Sequence, residues 1–63
     1  MKELKGYTIN GHTVALFLDN VCSTPFFVVK YDGQDVFAGK SRADAVDALD
    51  AACAKAGKEV SNG

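Results

Sequence analysis

The run from Lys40 to Gly57 constrains the fold most, because it reads as a helix with both ends written in. Ser41 suits an N-cap, since its hydroxyl can accept an early backbone N–H that has no helical partner. Asp44 falls at the third helical position and makes an imperfect capping box, where Glu or Gln is usual. Asp44 and Asp47 favour the positive start of the helix dipole, and Lys55 and Lys58 suit its negative end. Gly57 is the expected stop, so the spacing predicts a helix over 41–56. At the helical repeat, Val46, Leu49, Cys53 and Ala56 share one side, with Ala45 and Ala52 at its edge. The abundant alanine raises helix propensity and keeps the contact surface thin, which suits close approach to a sheet.

Everything before the helix reads as strands and turns. Tyr7 to Ile9 leads into Asn10-Gly11, and His12 to Leu18 follows. Asn-Gly fits both positive-φ positions of a type I′ turn and predicts a hairpin. Val14, Leu16 and Leu18 face one way and Thr13, Ala15 and Phe17 the other, with apolar groups in both sets. That strand is therefore central in its sheet or covered on its second face. Asp19 to Pro25 carries turn formers and reads as a loop, with a strand continuing through Val21 and Cys22 as the alternative. Phe26 to Tyr31 is rich in aromatic and β-branched residues and reads as a strand, with Phe26 and Phe27 on opposite faces. Asp32-Gly33 reverses the chain, and Asp35 to Ala38 forms a short fourth strand.

The expected fold is α+β: a small antiparallel sheet of three or four strands, covered on one face by a single C-terminal helix (β-β-β-β-α or β-β-β-α). The 63 residues form one domain, with 1–5 and 58–63 expected to fray. Such a chain buries only about 60% of its unfolded surface, which leaves little core to spare for an enclosed catalytic cleft. A hydrophobic content of 48% nevertheless separates it from disordered chains.

A net charge of −1, with the basic residues dispersed, supplies no long-range attraction to nucleic acid or anionic membrane. No run is long and apolar enough to span a bilayer, and Met1 to Gly6 is not followed by a signal-peptide core, so the expected location is cytoplasmic. Cys22 and Cys53 read as free thiols. Neither has a Cys or His at ligand spacing, so no metal site is expected. His12 has no partner defined by sequence. Gly39-Lys40-Ser41 lacks the upstream glycine of a phosphate-binding loop, which would fall at Gln34. No cofactor and no catalytic residues are assigned.

What remains is surface. Asp44, Asp47 and Asp50 spread across the side of the helix away from its apolar stripe. With Phe27 and Tyr31 from the sheet, they are the candidate contacts for another protein, one with a basic surface. The expectation is a non-catalytic interaction or regulatory module acting by surface binding or occlusion, with a homodimer as one form of partner. The alternative is a weak nucleic-acid-binding module using sheet aromatics with Lys30, Lys40 and Arg42.

Overall fold

Three two-residue turns, each with both residues at positive φ, set the architecture: Asn10-Gly11 (52° and 81°), Cys22-Ser23 (52° and 66°) and Asp32-Gly33 (51° and 83°). Their twist matches that of the flanking strands, so the chain runs up and down without crossovers. The computed structural model describes residues 1–59. It shows β1 (Lys2–Ile9), β2 (His12–Val21), β3 (Thr24–Tyr31) and β4 (Gln34–Gly39) as one antiparallel sheet in the order β1-β2-β3-β4, followed by α1 (Arg42–Lys58). The fold is β-β-β-β-α, as expected.

β2 is central, as its two apolar faces require. Val14 and Leu16 face the helix, together with Val29 and Tyr31 of β3. Ala45, Leu49, Ala52 and Ala56 close the core from α1. Ile9, Phe27, Phe37, Ala48 and Cys53 pack around its border.

Several boundaries differ from the sequence reading. Lys2 to Lys5 are not a loose lead-in. β2 is long enough to offer them partners, and Lys2 lies opposite Leu18. The loop expected at 19–25 shrinks to the Cys22-Ser23 turn, with Asn20 opposite Pro25 and Val21 opposite Thr24. Pro25 is tolerated because β4 ends opposite Phe27, leaving β3 without a β4 neighbour at that point.

Gly57 does not stop the helix. It lies inside α1, which runs to Lys58 and is capped where the Glu59 N–H donates to the Lys55 carbonyl. The Asn10 side-chain amide donates to the carbonyls of Ala56 (3.1 Å) and Gly57 (3.2 Å), so the first hairpin turn satisfies the last helical turn. Fraying expected from 58 is thus not seen at Lys58, and the rest of that expectation beyond Glu59 lies outside the described residues. The apolar stripe is also rotated from the expected one. The buried helix residues are Ala45, Leu49, Ala52 and Ala56, while Val46 is 38% exposed. The three alanines of this stripe allow close helix–sheet approach around Leu49, and the helical repeat then leaves Val46 on the flank.

Candidate functional site

Ser41 caps α1 as expected, its Oγ accepting the Asp44 N–H at 3.3 Å. Asp44, Asp47 and Asp50 are all exposed. The helix has two flanks beside its buried stripe. One carries Ala48, Ala51 and Lys55, which line a groove with Val36 of β4. By helical phase the other carries Val46, Asp50 and Cys53 and so faces β1. Tyr7 lies opposite Val14 on the helix side of β1. Tyr7 is 43% exposed on that face and Val46 38% exposed on the facing helix flank, and Leu4, at the β1 bulge, is 40% exposed. The Cys53 thiol is pushed above its ordinary range by burial and then by the Asp50 charge.

Phe27 and Tyr31 do not supply that surface. Phe27 lies opposite Leu18 on the helix-covered face and packs against the core, and Tyr31 is buried. The alternation puts Phe26 and Phe27 on opposite faces, as expected, but it is Phe26 that lies on the face without the helix. That face is partly closed by its own residues. Ala15 and Val28 are buried there, and the Lys30 ammonium sits 5.9 Å from the centre of the Phe17 ring. Lys30 also pairs with Asp35 at 3.5 Å. Lys40 and Arg42 are exposed beyond the opposite end of β4, next to the start of α1. The three basic residues proposed as one nucleic-acid contact are thus split between two places.

One pair was invisible to sequence spacing. An up-and-down sheet brings its first and third turns to the same end, which sets His12 beside Asp32. His12 Nδ1 lies 2.6 Å from Asp32 Oδ2, and Asp32 Oδ1 accepts the Thr13 N–H at 2.9 Å. The Asp32 N–H donates back to the Thr13 carbonyl at 2.7 Å. The hydrogen bond to Asp32 holds the imidazole above its ordinary value despite opposing desolvation. The bonds from His12 and the Thr13 N–H hold the Asp32 carboxyl below its own.

The His12 ring stacks on Tyr31 at 5.2 Å and 26°. Its Nε2 and the Tyr31 hydroxyl are buried without a hydrogen-bond partner among the described residues. The bonds among His12, Asp32 and the Thr13 backbone join the ends of β2 and β3 as a clasp. Among the described residues, no three His, Cys, Asp or Glu side chains are grouped to hold a metal ion, and no helix is long and apolar enough to cross a membrane. No family model, curated protein or solved structure matches the chain.

Proposed function

We propose that this protein is a small non-catalytic interaction module that binds another protein through the flank between β1 and α1, acting by surface binding or occlusion. The observation that carries this reading is the exposure of Tyr7 on the helix side of β1 and of Val46 on the α1 flank that faces β1, a flank that also carries Asp50 and lies within a helical turn of Asp47. Exposed apolar side chains rimmed by charge are typical of protein contacts. The aspartates select a partner with a basic surface, and the apolar residues supply the desolvated centre. Tyr7 takes the aromatic role first expected of Phe27 and Tyr31, while Asp44 sits on the other side of the helix crest. The reading places the protein in the cytoplasm, supported by its two free thiols, Cys22 at a hairpin tip and Cys53 on α1.

The test is affinity capture with wild type, Val46→Lys and the Asp47→Lys/Asp50→Lys double variant, each checked for folding by circular dichroism. Loss of the same partner with both variants supports the reading, and retention by both refutes it. Light scattering over a concentration series identifies a second copy as the partner if the mass doubles and Val46→Lys halves it again. Salt-sensitive retention of DNA or RNA that Lys40→Ala or Arg42→Ala weakens, with no protein retained, favours the nucleic-acid alternative instead.

A further inference from the structure

The opposite flank of α1 carries a separate feature. Where the helix passes beside β4, its contact residues are the small Ala48, Ala51 and Ala52, and their short side chains leave a groove of about 280 Å³. Tyr31, Val36 and Lys55 complete the lining. A bulge in the β3–β4 pairing opens the site. Lys30 lies opposite Asp35 and Val29 opposite Phe37, so Val36 is the unpaired extra residue. Val36 is 53% exposed even though it borders the groove.

One charged side chain, Lys55, interrupts this apolar lining. The Lys55 ammonium stands 5.0 Å from the centre of the Tyr31 ring. Its ion-pair partner, Glu59, is 3.7 Å away, with both side chains at least half exposed, an arrangement that contributes little and exchanges readily. Tyr31 is 9% exposed, and its hydroxyl is buried without a partner among the described residues. An apolar cleft with an exposed ammonium at its rim matches an amphiphilic anion.

We propose that this groove binds a small free carboxylate with a compact apolar body, the body lying on Val36 and the helix alanines and the carboxylate meeting Lys55. The bulge decides between a small acid and an extended peptide, because it breaks the regular edge ladder that strand addition needs. The proposal is independent of the β1–α1 surface, which lies on the other side of the helix.

The test is an NMR titration of the full chain, following the methyl groups of Val36, Ala48, Ala51 and Ala52, with 3-phenylpropionate as the probe and its neutral amide as the control. The expected result is saturable shifts at these methyls, with a dissociation constant on the order of millimolar for so small a ligand. The amide and the Lys55→Met variant should each weaken binding roughly fivefold or more, in line with loss of a charged contact. Ala51→Phe should abolish it by filling the groove from an exposed position on the helix. Absence of shifts at roughly 10 mM probe overturns the proposal. So does equal binding of acid and amide, tighter binding of an N-capped tripeptide ending in phenylalanine, or groove shifts that follow protein concentration without probe, the last of which would make a second copy the occupant.

Discussion

The Cys22-Ser23 turn gives the sharpest test of the backbone argument. The other two turns place Gly11 and Gly33 at φ near 80°, whereas Ser23 must hold 66° and Cys22 52° with side chains attached. A non-glycine residue in this left-handed region costs roughly 1–2 kcal/mol. Replacing the pair by Asn-Gly, the sequence that already closes the first hairpin, should recover part of that cost from each position. The added freedom of glycine in the unfolded chain offsets roughly 0.5–1 kcal/mol. The net expectation is a gain of about 1 kcal/mol, or a rise in Tm of roughly 4–8 °C for a domain of this size.

Thermal unfolding followed by circular dichroism measures this change, with Cys22→Ser separating the thiol from the turn. The reciprocal variant is Gly33→Ala. An added Cβ there meets nothing within 4 Å, so its cost is purely that of holding φ at +83°. It should lower stability by roughly 1–2 kcal/mol. If the Asn-Gly variant fails to raise Tm while Gly33→Ala lowers it, the hairpin tip is not strained, and the reasoning about Cys22 and Ser23 fails.

Gly57→Ala should stabilise the protein by roughly 0.5–1 kcal/mol, read as a higher urea midpoint, because the position is helical and a Cβ there finds open space. The His12–Asp32 clasp predicts a stability profile with two shoulders. His12 is raised, so its contribution is fully present below the ordinary value of 6.5 and is lost as pH rises through the higher folded value. Asp32 is lowered, so its contribution is present above the ordinary value of 3.8 and is lost as pH falls through the lower folded value. Asp32→Asn should flatten both shoulders in denaturation midpoints measured across pH, and an unchanged profile would refute the pairing. With a thiol-specific reagent at neutral pH, exposed Cys22 should react well before Cys53, whose thiol is partly covered and held above its ordinary range. Equal rates would contradict the packing of α1 on the sheet.

The features legible in the sequence are those carried by single-residue chemistry. Ser41 announced the helix start, and Asn10-Gly11 and Asp32-Gly33 announced their turns. Cys22-Ser23 gave no such signal because neither residue favours positive φ, so two strands seemed shorter than they are. The apolar stripe was placed by the helical repeat of Val46, Leu49, Cys53 and Ala56, with Val46 inward and Ala45 and Ala52 at its edge. The fold instead turned Ala45, Leu49, Ala52 and Ala56 inward, a stripe whose centre lies away from Val46. Alternation separated Phe26 from Phe27 but carried no information on which face the helix would cover. Which helix flank exposes its apolar residues, and which opens a groove, depends on how α1 lies across the sheet. The His12–Asp32 pair was implicit in the meander, whose odd-numbered turns share an end.

Asn10 has a kinetic consequence. Its backbone shapes a turn that forms from neighbouring residues, while its side chain holds carbonyls of Ala56 and Gly57, 46 and 47 positions later. Loop closure over that separation comes late relative to local hairpin formation. The helix end is therefore received by a preformed donor, and its opening is tied to the hairpin it docks on. In hydrogen exchange, amides in the last turn of α1 should share the protection of the β1–β2 ladder rather than exchange as a free end. Asn10→Gly should preserve the turn and uncouple the two.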